Sequence, residues 1–459
     1  MPGFSQEYNS SSVLKWGNSA ASLRWYHVFS DKIFNNVTLA YTKYRYQNNY
    51  KYESINSTEN LTFTDELNLH STVNDVVIKT DTEIPLRKCN LKIGGQYSNH
   101  FFIPSSITQS QSLNDSVLIS PQSETKLNAS DASIYGEFLF HIIKNVSVNL
   151  GIRSEVYWVN KKEYYSLQPR AIINYQVIHS WAIKASFCKM QQNIHLLTNS
   201  NTGLPTDLWL PATNKIKPET SKQFTLGLAH TTPRNYEFSV ELYHKKINNL
   251  IEYKEGILLF GTAETWEEKI EKNGEGKVNG IEFLFQKKEG RTTGWIGYTL
   301  SKNERKFDNI ENGNYFPFRY DQRHDFSIVL NYKLTNNIFL SATWVYHSGN
   351  AITLPSGKYQ LYNMNYSDSY TGDRVVMEDV HIYSEKNGYR MPAYHKLDVG
   401  FNYIKKKPKG EATWTLGAIN LYNRQNAYYL FLQEKEGVTK LKQQSLFPIL
   451  VNFGYLYAF

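Results

Sequence analysis

From Phe326 to Leu334 apolar residues recur at every second position. Phe326, Ile328, Leu330, Tyr332 and Leu334 share one face, and Asp325, Ser327, Asn331 and Lys333 fill most of the other. Ile338, Leu340, Ala342, Trp344 and Tyr346 repeat the pattern against Phe339, Ser341, Thr343 and His347. Leu397, Val399, Phe401 and Tyr403 then oppose Lys396, Asp398, Gly400 and Asn402. A period of two sustained over about 8–11 positions is that of a β-strand with two unlike faces. No amphipathic helical pattern of any length interrupts the series, so the chain reads as all-β.

Strands are expected near 19–29, 33–46, 70–80, 88–103, 132–142, 146–158, 164–177, 181–191, 221–230, 236–253, 276–287, 292–303, 324–334, 338–348, 395–404, 411–433 and 441–459. That is about 17 in all, with the last two long enough to project beyond a membrane. Short connections of turn-forming composition include Ser30-Asp31-Lys32, Lys144-Asn145, Lys288-Glu289-Gly290 and Thr335-Asn336-Asn337. Long polar connections run near 104–131, 196–219, 254–275, 303–321 and 348–393. Short turns on one rim and long loops on the other predict a transmembrane antiparallel β-barrel of the outer-membrane type. Closure leaves no backbone edge for lipid to desolvate. Tyr44 and Tyr46, Tyr157 and Trp158, and Trp344 and Tyr346 lie near strand ends, where aromatic girdles belong. A soluble sandwich would have shorter strands of about 5–6 residues.

The carboxyl terminus fits the same picture. Phe453, Tyr455, Tyr457 and the terminal Phe459 alternate with Gly454, Leu456 and Ala458. These four aromatics resemble the signal read by bacterial barrel-assembly machinery, whereas an ordinary buried strand has no need to stop on Phe.

Composition narrows the class further. The 459 residues include 34 Tyr, 24 Phe and 9 Trp, 15% aromatic, too many for a disordered chain. No run approaches the roughly 18–20 apolar residues of a membrane helix. Cys89 and Cys188 form one bridge at most, which excludes a disulfide scaffold and a cysteine zinc module. Met1 to Ala20 carries neither a basic nor an apolar segment of a secretion signal. If the turn at Ser30-Asp31-Lys32 lies on the inner rim, the first strand enters from outside. The expectation is therefore one barrel domain, 1–459, incomplete at its amino-terminal side.

Several stretches resemble the TonB-dependent receptor family in its Bacteroidetes-type form. They are the run from Thr202-Gly203-Leu204-Pro205 through Trp209-Leu210-Pro211, with Lys217-Pro218-Glu219 after it; Gly280-Ile281-Glu282, Gly294-Trp295 and Tyr298-Thr299-Leu300-Ser301; Phe316-Pro317 and Tyr320-Asp321-Gln322-Arg323-His324-Asp325; Trp16-Gly17-Asn18; and Ser445-Leu446-Phe447-Pro448. The resemblance implies a barrel of about 22 strands with a plugged lumen. It also implies TonB-dependent import of a siderophore, cobalamin or a glycan across the bacterial outer membrane. This chain departs from that pattern by showing no plug, no TonB box and about five strands fewer. TonB would be reached only through a plug absent from these residues. The partners implied are outer-membrane lipid, the barrel-assembly machinery and an extracellular small-molecule or glycan ligand.

Little in the sequence suggests catalysis. Asp321-Gln322-Arg323-His324-Asp325 is the one crowded acid, base and His cluster, and reads better as an Arg–carboxylate pair at a strand start. The twelve His show no metal-ligand spacing, so no metal and no cofactor are expected. Lys405-Lys406-Lys407-Pro408-Lys409 reads as a charged inner-rim turn rather than a nucleic-acid or anionic-lipid patch. The net charge of +8 is diluted along the chain, and no nucleic-acid partner is expected. The loop Thr198 to Glu219, with Pro205, Trp209 and Pro211, and the loop with Tyr359, Tyr362, Tyr366, Tyr370 and Tyr383 suit ligand capture and loop packing equally. The reading is a non-enzymatic receptor barrel. A passive pore or a remnant of a truncated receptor gene are the alternatives.

Overall fold

The computed structural model describes residues 6–30, 32–57, 60–87, 89–114, 116–119, 122–200, 207–256, 265–365, 374–383, 385–435 and 438–459. Among them, twenty strands form one antiparallel sheet, of which Ser116–Ile119, Gln122–Glu124 and Phe316–Pro317 are short additions at one rim. The other seventeen are its staves. In chain order they are β1 (Gln6–Ser30), β2 (Ile33–Asn56), β3 (Leu61–Pro85), β4 (Cys89–Leu113), β5 (Leu127–Ile143), β6 (Val146–Val159), β7 (Lys162–Ile178), β8 (Trp181–Gln192) and β9 (Glu219–Thr231). The rest are β10 (Tyr236–Tyr253), β11 (Ile270–Lys287), β12 (Thr292–Lys306), β13 (His324–Lys333), β14 (Ile338–His347), β15 (Tyr394–Lys407), β16 (Gly410–Ile419) and β17 (Leu450–Ala458). Each stave pairs with the next, and among the described residues no ladder joins β1 to β17.

Side-chain parity gives the wall two unlike faces. Leu39, Ile78 and Tyr97 stand side by side through the register on the outer face, as do Leu226, Leu242, Ile281 and Leu300 farther round. Two aromatic belts bound this apolar band. On the turn rim Trp181 stacks on His230, Phe238 meets Phe285, and Trp414 lies between Tyr403 and Tyr455. On the loop rim Phe326 meets Trp344, Trp344 stacks on Tyr346, and Tyr346 stacks on His395. His395 and Tyr403 on β15 are separated by about 26 Å of strand, near the height of a membrane band.

The turn rim carries tight connections throughout. The loop rim carries long ones, apart from the turns at 57–60 and after Val159. In the latter, Asn160 and Lys161 both take positive φ, as a two-residue hairpin turn between right-twisted strands requires.

The structure departs from the sequence pattern in three places. β1 to β4 run far beyond the expected ends, because the rim halves of β1, β2 and β4 carry little apolar alternation and that of β3 is interrupted at Asp65. The single strands expected at 411–433 and 441–459 are each broken. Asn420, Asn423 and Phe447 adopt positive φ, and the Asn420 side chain bonds Arg424 N, Arg424 O and Phe447 O at 3.0–3.3 Å. The detached pieces, Ala427–Lys435 and Val438–Ser445, pair only with each other. The third departure concerns the girdle. Tyr44, Tyr46 and Tyr157 face the lumen, with Tyr46 and Tyr157 buried, whereas Trp344 and Tyr346 do belong to the outer belt.

Candidate functional site

The inner face is polar, and its side chains are paired across staves. His100 Nδ1 lies 2.7 Å from Asp75 Oδ1, and its Nε2 lies 3.7 Å from Asp131. Glu155 accepts from Gln168 at 3.0 Å and Asn193 at 2.7 Å, and pairs with Arg153 at 3.3 Å. His100, Asp131, Arg153, Glu155 and Asn193 line a cavity of about 550 Å³ together with Gln191 and Trp209.

Above that cavity the connection from β8 to β9 turns inward. Ile194–Leu197 and Leu208–Pro211 form a small hairpin in which Leu197, Leu208, Leu210 and Pro211 are buried and Trp209 is exposed. On one side Leu197, Leu208, Leu210 and Ile216 pack with Tyr46 and Leu69 of β2 and β3 and with Ile251 and Ile270 of β10 and β11. On the other, Ala212 sits among Val73, Phe102, Ala129, Tyr157 and Val159 of β3 to β6. Tyr157 Oη donates to Ala212 O at 3.0 Å, and Tyr164 Oη donates to Thr213 O at 2.7 Å. One connection thus bridges two separated arcs of the wall. His195 is buried in it, donating from Nε2 to Lys217 O at 3.0 Å, and burial lowers its pKa to about 4.

Neighbouring loops lock onto this cap through charges. Asp207 accepts from Asn199 N at 3.2 Å, pairs with Arg319 at 3.8 Å and accepts from Tyr320 Oη. Burial and the Asp207 charge both raise the Tyr320 phenol. Arg305, with its guanidinium 3.6 Å from the Phe318 ring centroid, pairs with the buried Glu252 at 3.5 Å. Lys386 reaches the same carboxylate at 3.4 Å. Thr353 N donates to Ser200 O at 2.9 Å, tying in the loop after β14.

The crowded sequence at 321–325 is divided by the sheet. Asp321 faces inward, accepting from Asn303 N at 2.6 Å and pairing with Arg323 at 3.3 Å and with Arg390. His324 lies on the outer face beside Tyr298, whose Oη is 2.9 Å from its Nδ1. The Arg–carboxylate pair at a strand start is what the fold contains. Lys405 to Lys409 lies at the turn rim, where Lys407 Nζ sits 5.9 Å from the Trp414 ring centroid and 5.6 Å from that of Tyr457. Phe453, Tyr455 and Tyr457 are opposite Leu416, Trp414 and Ala412 on the outer face of β17, and Phe459 is exposed. Cys89 and Cys188 are free. Among the described residues no group of three or more His, Cys, Asp or Glu is placed to hold a metal ion.

Of the two loops marked for ligand capture, 198–219 forms the cap, though Pro205 lies outside the described residues, as do Gly203 and Leu204 of the quoted motif. The other contains a hairpin, Pro355–Asn365 with Arg374–Tyr383, on which Tyr359 and Tyr383 are exposed. Tyr366 and Tyr370 lie outside the described residues, as does the side chain of Tyr362. The seat of the cap, Tyr46, Phe102 and Tyr157, went unmarked as a site. The signal was present in aromatics that break the apolar parity of their strands.

A wall of long strands, apolar outside between aromatic belts and polar inside, defines a membrane-type β-barrel wall. Residues 2–423 match the family described as TonB dependent receptor-like, beta-barrel, and the chain belongs to that family. The fold is similar to that of Fiu, the ferric-catecholate import receptor of E. coli K12, with a TM-score of 0.60 at 13% identity over 96% of this chain and 64% of that one. It is also similar to BauA, the ferric preacinetobactin receptor of Acinetobacter baumannii, with a TM-score of 0.57 at 12% identity over 97% of this chain and 63% of that one. PirA, a siderophore receptor of the same organism, gives a TM-score of 0.53 at 13% identity over 90% of this chain and 67% of its own. The chain thus spans just under two thirds of the length of Fiu. No curated protein sequence matches significantly.

Proposed function

We propose that these residues are the barrel portion of an outer-membrane receptor for TonB-dependent uptake of a large, scarce solute of the siderophore, cobalamin or glycan class. The observation that carries this reading is the cap. A diffusion pore needs an open lumen, whereas here a buried hairpin spans the lumen and loops fold onto it through paired charges. A polar cavity with Tyr44 on its wall lies beneath, and Tyr320 and Tyr428 stand close to Asp207 above it. Stacking faces beside hydrogen-bonding groups suit flat polar ligands. The ferric siderophores named for the similar structures favour that class first. No covalent chemistry is required: the loops capture, and energy-dependent movement of a plug releases.

That β1 and β17 each pair with one stave only among the described residues supports a second element of the proposal. Lipid tolerates no open sheet edge, so the wall is read as the carboxyl-terminal part, 1–459, of a longer barrel whose plug would contact TonB. Within it Phe453, Tyr455, Tyr457 and Phe459 serve as the assembly signal. The quoted motifs favour the Bacteroidetes-type branch of the family.

Titrating the detergent-purified full chain with a ferric catecholate siderophore, cobalamin and an oligosaccharide tests the uptake reading. Saturable tryptophan quenching by one of them, weakened by Trp209→Ala, is expected. No binding by any, with steady conductance in planar bilayers, would establish a passive pore instead.

A further inference from the structure

On β8, β9, β10 and β11 four lysines stand directly opposite one another. Lys189 pairs in register with Lys222, Lys222 with Lys246, and Lys246 with Lys277. They share the parity of Phe187, Phe224, Leu242 and Ile281, so all four belong to the outer face. Each lies eight positions along its strand from the turn-rim aromatic belt, at Trp181, His230, Phe238 and Phe285 respectively. That is about 26 Å of strand, which sets the row at the opposite interface of the apolar band.

Like charges directly opposite on neighbouring strands, about 4.8 Å apart, repel. Lys246 is relieved by Glu275 at 3.6 Å, and the adjoining Lys302 by Glu304 at 2.6 Å. Among the described residues Lys189 and Lys222 form no ion pair with a carboxylate, whereas Lys277 stands in register opposite Glu304, which pairs with Lys302. Immediately below the row the wall dips into a groove of about 910 Å³ lined by Phe187, Phe224, Leu226, Leu242, Ile281 and Leu300. The dip arises because β7 and β8 place Ala171 and Ala185 between larger neighbours.

We propose that this cleft is a binding site for a phosphate-bearing lipid, with the headgroup phosphates on Lys189, Lys222, Lys246 and Lys277 and an acyl chain in the groove. Charge complementarity selects an anion, and continuity of the row with an apolar groove on the membrane face selects a lipid over a soluble partner. The proposal rests on the outer-membrane reading only for which leaflet is met. Lipid retention in micelles does not depend on solute uptake.

The test is native mass spectrometry of the detergent-purified full chain with cardiolipin, phosphatidylcholine or inorganic phosphate. Cardiolipin should be retained about tenfold over phosphatidylcholine, and millimolar phosphate should not displace it. Joint substitution of Lys189→Gln, Lys222→Gln, Lys246→Gln and Lys277→Gln should remove the preference. Replacing Lys405, Lys406, Lys407 and Lys409 with Gln at the opposite rim should leave it. Should the quadruple variant not fold, Lys222→Gln alone should weaken retention about fivefold, with Lys222→Arg restoring it. Undiminished preference in the variants, equal loss from the opposite-rim substitutions, or displacement by free phosphate would each overturn the proposal.

Discussion

Staves β1 to β4 run 25, 24, 25 and 25 residues, and the hairpin of β2 and β3 stands up beyond the wall on a tight turn. β13 and β14 run only 10 residues each, and the long connections around them meet the cap and its neighbours through Arg319, Thr353 and Lys386. Both regions meet the same rim. In the first, backbone pairing alone carries the chain outward, and the ion pairs at the tip, Lys51 with Glu53 at 2.8 Å and Glu66 at 3.8 Å, are exposed. In the second, Glu252, Arg305, Arg319 and Asp321 are buried and paired. A standing hairpin leaves the lumen open, and only inward-folding loops can close it. The contrast therefore locates closure in the loops and not in the staves.

The comparison breaks most readily at the seat of the cap. Phe102 is fully buried under Ala212, and Phe102→Ala should cost about 3–5 kcal/mol. That loss should appear as faster hydrogen exchange at Ile194–Leu197, with the ladder between β13 and β14 unchanged. Next comes Glu252→Gln, which leaves Arg305 and Lys386 without their shared carboxylate. Removing one member of a buried pair costs about 3 kcal/mol. The joint Glu252→Met and Arg305→Met variant should recover part of it in denaturant titrations.

A pH effect follows at intermediate size. His195 titrates near 6.5 when unfolded and at about 4 in the folded cap. The open form therefore binds the extra proton, and the cap's stability is full above pH 6.5 and falls as pH drops through the window down to about 4. The opening equilibrium at the hairpin, read as exchange corrected for its slower intrinsic rate at lower pH, should rise by up to about tenfold per pH unit there. His195→Gln should flatten that slope. Smaller still, Tyr157→Phe removes one buried hydrogen bond to Ala212 O and should cost about 1 kcal/mol by the same exchange measurement. Least of all, Lys51→Ala at the standing hairpin should leave exchange at the cap unchanged, because surface pairs add little.

Much of the wall was legible in the sequence because a strand with lipid on one side and water on the other must alternate. The staves from β5 to β15 begin and end close to where alternation does. The rim halves of β1 to β4 were hidden, since Tyr50 and Tyr52 stand against Lys51 and Glu53 on β2, Thr108 to Ser112 on β4 is wholly polar, Gln6 to Ser12 on β1 has one aromatic, and Asp65 interrupts β3. The broken final strands were hidden too, because the break depends on Asn420 bonding across the loop. Tyr44, Tyr46 and Tyr157 looked like girdle residues from their positions near strand ends. Parity against Val37, Leu39 and Tyr41 already turns Tyr44 and Tyr46 inward, and tertiary packing shows what they seat. The cap itself was visible as a loop of interest, but a local pattern cannot say whether a loop stands out or folds in.

The most direct test compares thiol accessibility at the two kinds of rim. In a Cys89→Ser, Cys188→Ser background, Ala212→Cys at the cap and Asn49→Cys on the standing hairpin would be reacted with a polar maleimide. The inward-folded cap predicts labelling of Asn49→Cys at the rate of a free thiol and of Ala212→Cys at least about a hundredfold more slowly, limited by local opening. Equal rates at both positions would show that the 193–218 connection stands in water, and would contradict closure of the lumen by that loop.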